Sequence, residues 1–195
     1  MTGLKIVVAE DEYLILMGIK SNLESLGHEV IGEATNGHEL IKIALEKKPD
    51  LIIADINLPV INGLEALKKI NEKLFIPSII VSGYDDEKLI NEAKEIGVLG
   101  YLIKPVDESD LKASIEIAVS RFEDIKKLKE ELDETKEALE SRKTIERAKG
   151  IVMERLQLKE DEAMRFLQKK SRNSNKKLVE VANEIIEADK AFRLD

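Results

Sequence analysis

DLIIADINLP, residues 50–59, is the stretch on which the fold turns. Leu51 to Ala54 offer no polar residue to either face of a strand, so a strand here needs cover on both sides. The run then stops abruptly, with Asp55 at its end and Asn57 and Pro59 following as turn residues. Four more runs of the same kind flank it: LKIVVA (4–9), HEVIGEA (28–34), PSIIVS (77–82) and VLGYLI (98–103). The segments between them carry apolar residues at helical spacing, as in Ile15, Ile19, Leu23 and Leu26, or Leu64, Leu67 and Ile70. Strand alternating with helix implies parallel strands joined by right-handed crossovers. Residues 1–120 are therefore expected to form an α/β domain with a doubly wound five-stranded parallel sheet.

After residue 108 or so the strand signals end. The segment SRFEDIKKLKEELDETKEALESRKTIERAKGIVMERL, which starts at Ser120, contains no proline and no glycine before Gly150, and is read as one long helix. Ile125, Leu128, Leu132, Thr135 and Leu139 alternate spacings of three and four, the seam of a coiled coil, so residues 121–140 are expected to be a coiled-coil linker helix that pairs two chains. The competing reading is a helix folded back on its own domain. Two shorter helices follow, one holding Ala163, Phe166 and Leu167, the next Leu178, Val181, Ala182, Ile185 and Ile186. With Ile145, Ala148, Ile151 and Val152 they would close an all-α three-helix output domain over 141–195. Asn173 to Asn175 supply the stop and the capping start between the two short helices.

Charge divides the chain as sharply as secondary structure does. The formal net charge of −8 is the sum of an acidic front, with 12 basic and 21 acidic residues over 1–120, and a nearly balanced remainder. Within that remainder, residues 142–177 hold 12 basic and 5 acidic side chains. Two partners of opposite character are implied. There is no cysteine, and His28 and His38 are the only imidazoles, which excludes disulfides, thiol catalysis and a zinc cluster. No apolar run approaches the roughly 20 residues of a membrane span, and MTGLKIVVAED leads directly into a strand, so a cytoplasmic protein with no membrane partner is expected.

In open parallel sheets, ligands bind beyond the carboxyl ends of the strands. Glu10 and Asp11 follow the first strand, Asp55 the third, Ser82 the fourth, and Lys104 with Pro105 the fifth. Such a pocket of carboxylates suits a hard divalent cation such as Mg²⁺. The motifs EDE at 10–12, DINLP at 55–59, Ser82-Gly83 and Lys104-Pro105 together resemble the receiver domain of two-component response regulators, whose fold is flavodoxin-like. The resemblance implies that Asp55 is the phosphoacceptor and that a sensor histidine kinase is the partner. It implies Mg²⁺ on Glu10, Asp11, Asp55 and the Asn57 backbone carbonyl, Ser82 and Lys104 on the phosphoryl group, Tyr101 as a switch residue, and a cis bond at Lys104-Pro105. Glu10 stands where the family more often has aspartate, and its extra methylene leaves both direct and water-mediated contact with the ion open.

Residues 141–190 resemble the ANTAR domain, the RNA-binding output module of antitermination regulators, through Ser141, Arg142, Ile145, the run RAKGIVM (147–153), Glu162, Ala163, Leu167, Asn175, Leu178, Val181 and Ala182. Gln168, Ser171 and Arg172 depart from that pattern. The run KKSRNSNKK (169–177) has five basic residues and no acid, and phosphates are its natural counterpart. Arg142, Arg147, Lys149, Gly150, Arg155, Lys169, Lys170, Arg172, Asn175, Lys176 and Lys177 are the candidate RNA contacts. Gly150, costly inside a helix by about 1 kcal/mol, suggests a close approach by another backbone or a ligand. The resemblance implies a phosphorylation-dependent homodimer that binds paired RNA stem-loops and promotes antitermination. Rival readings are a DNA-binding regulator, which would need a recognition helix after a tight turn, and a phosphohydrolase, which would need a second acid where Asn57 stands.

Overall fold

The computed structural model describes residues 3–83 and 86–192. Five strands alternate with helices: β1 (Lys5–Ala9), α1 (Tyr13–Ser25), β2 (Glu29–Ala34), α2 (Gly37–Lys47), β3 (Leu51–Asp55), α3 (Gly63–Asn71), β4 (Ser78–Ser82), α4 (Glu87–Ile96) and β5 (Gly100–Ile103). Three helices follow: α5 (Glu108–Leu156), α6 (Glu160–Ser174) and α7 (Leu178–Phe192). The chain divides into two compact units, Met1–Lys126 and Lys127–Asp195.

In the first unit all strand pairs are parallel, in the order β2-β1-β3-β4-β5. This is the doubly wound sheet expected, and its strand ends reverse direction of winding between β1 and β3. The two-residue period of the central strands sorts their side chains onto two cores. Val7, Ile52, Ala54 and Ile80 face Leu40, Ala44, Leu64 and Leu67 of α2 and α3. Ile6, Val8, Ile53 and Val81 face Leu16, Ile19 and Leu23 of α1 and Leu111 and Ile115 of α5. Leu67 is fully buried, so Leu67→Ala would remove roughly 2–5 kcal/mol.

The starts of α2 and α3, near the sheet's carboxyl edge, are fixed by side-chain caps. Asn36 Oδ1 accepts from the Glu39 N–H at 2.9 Å, and Asn62 Oδ1 from the Glu65 N–H at 2.7 Å. Gly63 begins α3 immediately behind β3, and a Cβ there would fall on the backbone carbonyl of Asp55. The close approach is what requires glycine.

In the second unit Ala148 and Val152 of α5 pack with Ala163 and Leu167 of α6 and with Val181, Ala182 and Ile186 of α7. Gln157 and Asn175, both in the left-handed region, terminate α5 and α6. Lys177, ahead of α7, has its N–H accepted by Glu180 Oε2 at 3.0 Å. The long helix is unbroken for 49 residues, and Ile125, Leu128, Leu132 and Leu139 stand 41–66% exposed along it.

Candidate functional site

At the carboxyl edge of the sheet the polar strand ends converge. Asp55 is 4% exposed and Glu10 is 1% exposed, yet both are acids. Lys104 answers them: its Nζ donates to Asp55 Oδ2 at 2.9 Å and lies 2.7 Å from Glu10 Oε2. The Lys104 ammonium is thus the partner of the buried Glu10 Oε2. Backbone groups hold the other oxygens, Asn57 N–H donating to Asp55 Oδ1 and Glu12 N–H to Glu10 Oε1, both at 3.3 Å. Burial pushes the Glu10 carboxyl above the usual carboxylate range, against the opposing pull of Lys104. Burial alone would lower the Lys104 ammonium, but its contacts with Glu10 and Asp55 prevail and raise it.

Asp11 is exposed beside them, and one carboxylate oxygen each from Glu10, Asp11 and Asp55 lie within 4.8 Å of one another. Three carboxylates, two of them buried, form a donor set that fits a small hard cation. Receiver domains generally bind Mg²⁺ at an acidic pocket of this kind. Ser82, fully buried, ends the neighbouring strand one residue beyond Val81, which is paired with Asp55. Tyr101 is half-buried on β5 and packs against the core under α2, α3 and α4. Asn57 is exposed, and the Lys104-Pro105 bond is cis.

The basic residues of the second unit are not gathered in this way. Arg142, Arg147, Lys169, Lys170, Arg172 and Lys177 are exposed, and none has a side-chain ion pair within 4 Å among the described residues. Three of the expected contacts are engaged inside the chain. Lys149 is 9% exposed and bridges Glu146 and Glu160 at 2.6 and 2.7 Å, which ties α5 to α6. Those pairings, Glu146 first, hold its ammonium above the ordinary lysine value. Arg155 pairs with the buried Asp189 at 2.8 Å, and Lys176 pairs with Glu184. Lys149, one of the candidate RNA contacts, thus ties α5 to α6 through its ion pairs. Gly150 is exposed, and nothing within 4 Å would meet a Cβ there. A close approach by another backbone of the chain, one of its two expected explanations, is removed.

Sequence reading passed over the role of Gly63 and the acidic partners of Lys149. Gly63 had a visible signal, standing eight residues after Asp55 behind the turn residues Asn57, Pro59 and Asn62. Glu160 had none, because its meeting with Lys149 depends on how α6 packs.

Comparison with known proteins agrees with this geometry. The family model of the response regulator receiver domain matches residues 6–116, and that of the ANTAR domain matches residues 133–186. The transcriptional regulatory protein PdtaR of Mycobacterium tuberculosis is 35% identical over 183 residues, covering 94% of this chain and 89% of that protein. The transcriptional regulatory protein YesN of Bacillus subtilis is 37% identical over 139 residues, 66% of this chain and 38% of that protein. Among solved structures, the receiver domain of a modulated diguanylate cyclase from Desulfovibrio desulfuricans superposes with a TM-score of 0.58 at 30% identity, covering 62% of this chain and 97% of that one. The receiver domain of the response regulator AraT from Geobacillus stearothermophilus gives 0.57 at 30% identity over 63% and 98%. The chain belongs to the response regulator family. It is a two-component response regulator in which a receiver domain precedes an ANTAR domain, a regulatory rather than a catalytic kind of protein. Among the described residues no helix is long and apolar enough to cross a membrane.

Proposed function

We propose that a sensor histidine kinase phosphorylates Asp55, that the phosphorylated chains pair along the α5 seam, and that the paired ANTAR domains bind RNA hairpin loops and promote transcription antitermination. The observation that carries the reading is the convergence of Glu10, Asp11 and Lys104 on a buried Asp55 at the sheet's carboxyl edge.

A carboxylate oxygen of Asp55 attacks the phosphorus, the phosphorus–nitrogen bond to the kinase histidine breaks, and the imidazole nitrogen leaves with the electron pair. Mg²⁺, when held by Glu10, Asp11, Asp55 and the Asn57 carbonyl, supplies the positive charge that lets two anionic groups approach. Lys104, already in contact with Asp55 Oδ2, neutralises the added negative charge, and the Ser82 hydroxyl donates a hydrogen bond to the phosphoryl group. Tyr101, half-buried on β5, reports the change to the surface around β4 and β5. On the output side, Arg142, Arg147, Lys169, Lys170, Arg172 and Lys177 present exposed cations to phosphate, and the open surface at Gly150 admits a close approach.

Pairing makes the second of two RNA loops an intramolecular target, so affinity rises through effective concentration alone. The test has two parts. Incubation with acetyl phosphate and Mg²⁺ should add one phosphoryl group by mass spectrometry, and Asp55→Asn should add none. The phosphorylated chain should then shift RNA hairpins in a gel in the presence of excess duplex DNA. Preference for the DNA would replace the RNA reading with a DNA-binding one.

A further inference from the structure

The second unit has a concavity that the phosphate-binding reading leaves unused. It lies between the end of α5, the middle of α6 and the second half of α7, with a volume of about 410 Å³. Its lining is mostly apolar, from Ile151, Leu156, Phe166 and Ile185, and Arg155 and Lys170 stand on it as cations. That volume is at the small end of the roughly 300–1,000 Å³ range of ligand sites. Phe166 also borders an adjoining concavity formed with Lys169, Lys170 and Asn173. It is 39% exposed, and it is the one aromatic ring of this unit among the described side chains.

The acids on the same wall do not repel an anionic ligand. Asp189 is bound to Arg155, and Glu184 to Lys176. The Arg155–Asp189 pair has a further effect, since it fixes the guanidinium plane at the concavity's wall. Lys170 is left exposed at the rim without an ion pair within 4 Å among the described residues, and Lys169 stands beside it. An aromatic face, a restrained guanidinium, an apolar floor and rim lysines are the elements that receive a splayed-out nucleobase together with its phosphate.

We propose that this concavity takes one unpaired nucleobase of the bound RNA, stacked on Phe166, with Lys169 and Lys170 on its flanking phosphates. The inference rests on the RNA reading above and adds to it a base-specific element that surface lysines cannot supply. Affinity for hairpins would then depend on one loop position far more than on the others.

The experiment uses the full chain phosphorylated with acetyl phosphate, and a library of RNA hairpins with randomised loops. Hairpins enriched on the unsubstituted protein are resynthesised with 2-aminopurine at each loop position in turn. One position should change its fluorescence on binding, and Phe166→Leu should abolish that change and weaken binding about tenfold or more. Phe166→Trp should restore both, while circular dichroism of each variant remains that of the parent. Enriched hairpins that bind Phe166→Leu as tightly as the parent overturn this inference and leave the RNA reading standing. Failure to enrich any hairpin overturns both. A Phe166→Leu variant that changes its sedimentation in the absence of RNA assigns the concavity to contact between chains and overturns the inference as well.

Discussion

The two units handle charge in opposite ways. At the sheet's carboxyl edge, strands deliver Glu10, Asp55 and Lys104 to one point, bury the two acids and pair each with the same ammonium. On the output helices, cations are spread over exposed faces, and some of those that are paired tie helices together, as Lys149 does between α5 and α6. A sheet edge concentrates side chains because parallel strands end together, whereas a helix rotates successive side chains away from one another. The first arrangement makes a site that one substitution can destroy. The second makes a surface whose strength is a sum of small contributions.

The largest effect that can break this contrast lies behind the acidic site. Gly63→Ala places a Cβ on the Asp55 carbonyl, so β3 or α3 must shift. We expect a stability loss of about 3 kcal/mol in urea unfolding together with a sharp fall in acetyl phosphate uptake. Unchanged uptake would mean that the Asp55 geometry tolerates movement of the strand end, and that the site is less concentrated than described. Next comes the seam of α5. Leu132→Lys with Leu139→Lys puts two charges where a paired helix would exclude water, so self-association of the phosphorylated chain should fall by more than tenfold in sedimentation. An unaltered sedimentation profile would remove the coiled coil from the mechanism.

The contrast is sharpened within the basic surface itself. Lys169→Gln with Lys170→Gln should weaken RNA binding several-fold and reduce the slope of log affinity against log salt by roughly two. Lys149→Gln should instead lower the thermal midpoint of the output unit and leave that slope nearly unchanged, because its charge is already matched by Glu146 and Glu160. Equal slopes for the two variants would show that Lys149 leaves its partners to reach phosphate.

The smallest effect belongs to His28 in the first unit. Its Nδ1 accepts the Leu4 N–H at 3.2 Å, and burial holds its pKa below the ordinary value. The unfolded chain therefore takes up a proton before the folded one does. Stability is unaffected above about pH 6.5 and declines as the pH falls below that value towards the folded pKa. His28→Gln should flatten this part of a urea-midpoint titration, and a slope that persists would place its origin elsewhere.

Most of the sheet was legible because its determinants are local. Runs such as Leu51 to Ala54 can satisfy a strand covered on both faces, and each observed strand begins one or two residues later than its apolar or polar flank suggested. The acidic site was legible because strand ends are sequence landmarks, so Asp55 and Lys104 could be placed at one edge though 49 residues separate them. The output surface was less so. Whether Arg155 faces solvent or Asp189 depends on the packing of α7 against α5, and whether Gly150 meets a neighbour depends on what that packing leaves open. Phe166 read as an ordinary member of a helical stripe, and only the assembled helices set it half-exposed at the wall of a concavity.

The wet seam on α5 has a consequence for how the protein can be used in a cell. Under the pairing proposed above, two-chain assembly is second order, so the amount of active species varies with the square of the phosphorylated monomer concentration while dimers are scarce. A twofold change in abundance would then count as much as a twofold change in the fraction phosphorylated. On that reading the exposed leucines would turn copy number into a second input, and a cell that adjusted expression of this chain would adjust the gain of its own signal.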